Sequence, residues 1–158
     1  MNTTVDTLLD GKIVIHQPAK GFRAGTDSLL LASAVPEKPG SHYLDVGCGC
    51  GGALLPSAWR LRQSEFTGLD IDPATAKLAK LGAQANGLDG RVSVETANIS
   101  DWATSRENSF DAVFSNPPYF ARLNNCSWGE VWRVSVETAN ISDWATSREN
   151  SFDAVFSN

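Results

Sequence analysis

Basic residues are scarce in this chain: 13 Lys and Arg stand against 18 Asp and Glu, a formal net charge of -5. Phosphate binding depends on clustered Lys and Arg, so an electrostatic grip on nucleic acid spread over the whole surface is excluded, though a local basic patch is not. Histidine is rarer still, with only His16 and His42. Of the three cysteines, Cys48 and Cys50 sit inside a glycine loop, and an odd number so placed does not describe a disulfide framework. Those two thiols have no matching His or Cys cluster to complete a tetrahedral site, so no metal is expected and they read as small loop fillers. No apolar run is long enough to span a membrane. The N-terminal MNTTVDTLLDGK lacks the basic-then-apolar order of a secretory signal, which makes a reducing cytoplasm the expected compartment.

What is present is enough for one core. A chain of 158 residues with 42% apolar composition is expected to form a single domain. It also repeats itself: Arg91 to Asn116 recurs unchanged as Arg133 to Asn158. Solenoid units are usually similar without being identical and come in threes or more, so two perfect copies point to a recent duplication or a cloning or assembly artefact. The expected division is therefore residues 1–123 as the body of the domain, 124–132 as a junction, and 133–158 as the duplicate of 91–116.

The body alternates strands and helices. Lys12 to Gln17 suggests a short edge strand entering a turn at Pro18. Thr26, Asp27 and Ser28 look like the cap of a short, mostly buried helix over LLLASAV that Pro36 stops. His42 to Val46 is a compact β run leading into a glycine turn, after which ALLPSAWRLR resumes helical spacing despite Pro56. Phe66 to Ile71 is a second such strand. Asp72 and Pro73 then suit the cap and first turn of a helix that Gly87 terminates. Val92 to Thr96 and Asp111 to Ser115 complete the set. Strands alternating with helices imply a parallel, doubly wound α/β sheet with right-handed crossovers. Asn124 to Trp132 has no clear period.

The glycine turn carries the first chemistry. Gly47, Gly49 and Gly52 satisfy G-x-G-x-x-G. Asp70 lies about twenty residues on, where a carboxylate can accept ribose hydroxyls. That much does not separate a dinucleotide from S-adenosylmethionine. Asp45, ending the strand in Asp-x-Gly-x-Gly-x-Gly with Gly47, Gly49 and Gly51, can face the ammonium of a methionine moiety, which a dinucleotide lacks. This favours S-adenosylmethionine. Asn98, near the end of the third strand, suits either an adenine edge or an ordinary turn.

The second element is Asn116-Pro117-Pro118-Tyr119, placed where ligands bind in open α/β folds, beside the glycine loop. A conjugated exocyclic amine is a poor nucleophile because its lone pair is delocalised. The oxygen of Asn116 and the carbonyl of Pro117 can accept its N–H bonds and turn the nitrogen toward a tetrahedral geometry, with no strong base. The prolines fix the backbone, and Tyr119 offers a flat face for stacking.

Together Asp45 to Gly51, Asp70 and Asn116 to Tyr119 resemble the motifs of class I S-adenosylmethionine-dependent amino-methyltransferases. Within them, the stretch Gly21 to Leu31 (GFRAGTDSLLL) resembles the bacterial tRNA1(Val) adenine-N6 methyltransferase group, over about Lys12 to Phe120. The resemblance implies a Rossmann-like, doubly wound, mostly parallel sheet, here incomplete on its C-terminal side because the second copy stands where further strands follow in the family. It also implies that Asp70 binds the cofactor ribose, Asn98 lies near its adenine, Asn116 holds the target amine and Tyr119 stacks on the base, giving N6-methyladenosine in tRNA. The family that methylates a glutamine amide in release factors shares the tetrapeptide, so a protein acceptor is the alternative. An inactive fragment is another, because the two copies compete for one place in the sheet. An NAD-type oxidoreductase would need an acid near the nicotinamide, and His42, at the start of a strand, suits a structural role better.

Overall fold

The computed structural model describes residues 2–104, 106, 109–116 and 135–137. It begins with a hairpin, β1 (Thr3–Leu8) antiparallel to β2 (Ile13–Pro18), forming its own two-stranded sheet. One edge strand was expected here and there are two. The turn between them carries three successive left-handed residues, Leu9, Asp10 and Gly11, whose positive φ matches the twist of paired strands. Alternation then buries Ile13 and Ile15 completely.

Helix α1 (Thr26–Ala34) follows. Its N-cap is Gly25, with no side-chain capping bond, so Thr26, Asp27 and Ser28 are not its cap as expected. Nor is it mostly buried: Ser28, Leu31 and Ala32 face inward while Leu30 is 64% exposed. Its C-terminal carbonyls are satisfied from outside, Arg60 donating to Ala32 O at 3.1 Å and to Val35 O.

The remaining elements are β3 (His42–Val46), α2 (Leu54–Arg60), β4 (Glu65–Asp70), α3 (Pro73–Ala85), β5 (Val92–Thr96), α4 (Ile99–Ala103), β6 (Ala112–Ser115) and β7 (Ser135–Glu137). Pro56 is tolerated because it falls in the first turn of α2, where its missing N–H would have no helical partner. Asp72 caps α3 by accepting the Ala74 N–H at 2.9 Å, with Pro73 at the first position, as the sequence implied. Gly87 then leaves the helix at φ +64°.

The second sheet runs in the order β5-β4-β3-β6-β7, its first four strands parallel and β7 antiparallel to β6. The α/β, doubly wound reading is therefore correct. The chain lays down β3, builds outward through β4 and β5, then returns to the other side of β3 with β6. The strand order reverses between β3 and β6, and a crevice opens at such a switch point. Ser135–Glu137 repeats the sequence of Ser93–Glu95 in β5, yet it pairs with β6. Within the described residues the second copy does not take the place of the first.

Alternation along β3 divides the core. Tyr43 joins Phe66, Phe114, Leu54, Leu55 and the hairpin's Ile13 and Ile15 on one face, whereas Leu44 and Val46 join Leu69, Val113 and Trp102 of α4 on the other. The hairpin is stitched to the end of α3 by Asn86, whose side chain accepts the Val14 N–H at 2.8 Å and donates to Val14 O at 2.7 Å. Among the described residues no helix is long and apolar enough to cross a membrane.

Candidate active site

The carboxyl ends of β3, β4 and β6 meet at the switch point. From β3 the chain enters the glycine loop, where Gly47, Gly49 and Gly51 take φ of +70°, +55° and +90°, a region that costs a side-chain-bearing residue about 1–2 kcal/mol. The loop is tied to the end of β4. Leu69 O accepts the N–H groups of Gly47 at 2.8 Å and Cys48 at 3.0 Å. Asp70 Oδ2 accepts the Gly49 N–H at 2.6 Å, and its Oδ1 accepts the Asp72 N–H at 2.9 Å and the Thr75 hydroxyl at 3.2 Å. One carboxylate thus joins the glycine loop, the end of β4 and the start of α3.

Asp45 is 2% exposed, and its Oδ2 has no hydrogen-bond partner although it is fully buried. Burial, then the neighbouring charge of Asp70, pushes its carboxyl well above the usual carboxylate range, against a hydrogen bond from the Leu54 backbone. Asp45 lines an open cleft together with Gly47, Gly52, Phe22, Ser28 and Asn116. Cys48 and Cys50 border it as buried thiols, both pushed up by burial and so protonated near neutral pH.

Asn116 follows β6 directly and is 7% exposed. The preceding Ser115 closes β6 onto β3 by donating its hydroxyl to Val46 O at 2.8 Å. The Asn116 amide then donates to Asp27 Oδ2 at 2.7 Å and to Ser28 Oγ at 3.0 Å. Ser28 lines the cleft and Asp27 touches it through Asn116, roles that the local sequence does not announce because it offers both residues as a helix cap. The available signal was Gly25, itself an acceptable N-cap that leaves the next side chains for other work.

The expected site residues therefore fall into distinct places. Asp45, Gly47 and Asn116 share the cleft, and Gly49 and Asp70 adjoin it through their mutual bond. Gly51 faces the core, where an added Cβ would lie 2.9 Å from Leu55 Cγ. Asn98 caps α4, accepting the Ser100 N–H at 2.9 Å, and does not line the cleft. Pro117, Pro118 and Tyr119 lie outside the described residues, as do 124–132 and the rest of the second copy. His42 contacts Thr67 Oγ1 at 2.9 Å and packs at a tilt of 55° against the Phe110 ring, away from the cleft-lining residues.

Comparison with known proteins adds to this geometry. The chain is similar to the tRNA1(Val) (adenine(37)-N6)-methyltransferase of Yersinia pestis (strain Pestoides F), 33% identical over 106 residues that make up 66% of this chain and 43% of the relative. It thus spans less than half the length of the curated relatives it matches. Among solved structures, P. horikoshii TYW2 in complex with MeSAdo aligns at a TM-score of 0.58 and 22% identity, over 70% of this chain and 41% of that one. The geranyl diphosphate C-methyltransferase of Streptomyces coelicolor A3(2), in complex with S-adenosyl-L-homocysteine, aligns at 0.52 and 21% identity, over 58% and 34%. One named relative modifies nitrogen and another carbon, so the shared fold does not choose the acceptor. A model of the methyltransferase small domain matches residues 20–139. With most of its length matching, the chain belongs to the methyltransferase small domain family, whose members depend on S-adenosylmethionine.

Proposed function

We propose that this chain transfers a methyl group to an exocyclic amine, with adenine N6 in tRNA as the acceptor and the cytoplasm as its place of work. The observation that carries this reading is the meeting of Asp45 and Asn116 in one cleft at the switch point. Each has a distinct task there.

The residues present fit S-adenosylmethionine. Asp45 Oδ2 is a buried oxygen without a partner, and an ammonium group brings both the missing donor and the counter-charge that favours its ionised form. A Cβ on Gly49 would meet nothing within 4 Å, so the loop presents bare backbone to open space. Asp45, Gly47, Gly49 and Asp70 would hold the cofactor, with Asp70 toward its ribose and Asn98 toward its adenine. Gly51 contributes by shaping the loop. When bound, S-adenosylmethionine supplies an electrophilic methyl group on a sulfonium.

The chain's own residues prepare the acceptor. With its NH2 directed at Asp27 and Ser28, the Asn116 amide turns its oxygen the other way, as an acceptor for an amine N–H. Pro117 contributes a carbonyl acceptor and Tyr119 a stacking face. Two acceptors on one amine localise its lone pair, a change worth more in the transition state than in the ground state. Support for tRNA comes from the 33% identity to an enzyme of that name and from the Gly21 to Leu31 stretch.

The test is incubation with methyl-tritiated S-adenosylmethionine, unmodified tRNA and, in parallel, a peptide-chain release factor. Label recovered from tRNA as N6-methyladenosine is the expected result. Label in the protein alone would move the acceptor to a glutamine amide, and label in neither would overturn the reading.

A further inference from the structure

We infer that Asp27 and Ser28 are positioning residues for methyl transfer, acting by holding the Asn116 amide in a single orientation. The inference rests on the function proposed above. An Asn amide is nearly symmetrical in shape, and a half-turn about its last bond exchanges an acceptor for a donor. In the turned state the target amine would meet an NH2 group and be repelled. The geometry opposes that turn: Asp27 Oδ2 lies 2.7 Å from Asn116 Nδ2, and exchanging the amide atoms would set an oxygen against a carboxylate oxygen. Ser28 Oγ, at 3.0 Å and only 2% exposed, accepts from the same nitrogen and helps to hold the amide in place, but its hydroxyl can donate as well as accept, so the choice between the two orientations rests on Asp27.

Charge matters here beyond contact. Donation to a carboxylate polarises the amide and makes its oxygen a stronger acceptor, the cooperative strengthening expected of linked hydrogen bonds in a low-dielectric site. The placement is available because Gly25 caps α1, leaving the Asp27 carboxylate to reach across 89 residues of sequence to the end of β6. An Asn at position 27 could also accept from Asn116, but the two amides could turn together and exchange roles. Only an acid makes the arrangement one-way.

The experiment compares wild type, Asp27→Asn, Asp27→Ala, Ser28→Ala, Asn116→Ala and the Asp27→Ala/Asn116→Ala double variant. Three readouts are needed: kcat for methyl transfer, affinity for S-adenosylhomocysteine by calorimetry, and the side-chain amide signals of Asn116 by 15N NMR in the free protein. Misplacement of a reacting group can cost on the order of 100-fold. Asp27→Ala should lose about that in kcat, with Asp27→Asn and Ser28→Ala losing about tenfold. Affinity for S-adenosylhomocysteine should stay within about threefold, which also reports that each variant folds. The Asn116 amide signals should shift in Asp27→Ala, and in the Asn116→Ala background removing Asp27 should cost nothing more. An active wild type with kcat unchanged in Asp27→Ala, unmoved amide signals, or an equal further loss in the double variant would overturn the inference alone. A wild type that binds cofactor but methylates neither acceptor would instead overturn the function on which it rests.

Discussion

The carboxylate of Asp70 accepts the backbone N–H of Gly49 at 2.6 Å, joining the acid at the end of β4 to the glycine loop after β3. Loop and acid are thus one mechanical unit. Because the same carboxylate also accepts from Asp72 and Thr75, Asp70→Ala leaves the Gly49 and Asp72 N–H groups without their acceptor, while the Thr75 hydroxyl keeps Asp72 O at 3.1 Å. The substitution should lower unfolding free energy by about 1–3 kcal/mol as well as weaken S-adenosylhomocysteine binding. Urea unfolding beside calorimetry checks this. Lost affinity with an unmoved urea midpoint would mean that the carboxylate serves the ligand alone.

Asp45 links pH to stability. Its carboxyl is held above the ordinary carboxylate range in the fold, by burial first and by the Asp70 charge second. The folded chain therefore keeps a proton that the unfolded chain has already released. Stability from this group is complete below the ordinary carboxylate value and declines as pH rises from there through the raised one, by up to about 1.4 kcal/mol per pH unit. Asp45→Asn should flatten that decline and raise the neutral-pH urea midpoint while weakening cofactor binding. An unchanged pH profile would remove Asp45 as its source.

Two glycines of the loop should respond differently to alanine. At Gly49 a Cβ would point into open space at φ +55°, so Gly49→Ala should cost about 1–2 kcal/mol in strain and place a methyl group where the cofactor is proposed to lie. At Gly52 the Cβ would stand 2.9 Å from Ala24 Cβ and 3.3 Å from Ala24 Cα, a backbone atom that cannot step aside cheaply. Gly52→Ala should therefore cost about 1–3 kcal/mol through overpacking. Ranking the variants by affinity lost against stability lost tests the difference: Gly49→Ala should lead on the first measure and Gly52→Ala on the second.

Asn116→Ala should reduce methyl transfer at least about 100-fold while leaving S-adenosylhomocysteine affinity within about threefold, because the amide serves the acceptor rather than the cofactor. Single-turnover rates with calorimetry check it. Equal loss on both measures would place Asn116 in the cofactor site instead.

Elements whose own residues decide their state were legible beforehand. His42 to Val46 is β-rich and runs into glycines, and Asp72-Pro73 carries its own capping chemistry, so strand, turn and helix were each recognisable locally. β1 was not, because TTVDTL has little apolar content and its Val5 is 63% exposed; pairing with β2 makes it a strand. Asp27 and Ser28 were assigned to the wrong partner, since their bonds to Asn116 span 89 and 88 residues and a local rule sees only the nearby helix end. Ser135–Glu137 makes the same point differently: three residues identical to part of β5 pair at the opposite edge, so tertiary context decides.

Whether the cleft beside Asp45 is a site for S-adenosylmethionine is decided by calorimetric titration of the chain with S-adenosylhomocysteine, with NAD in a parallel cell. S-adenosylhomocysteine should bind with micromolar affinity, more weakly in Asp45→Asn, and NAD should not bind. Binding of NAD in its place, or of neither, would rule out an S-adenosylmethionine site there.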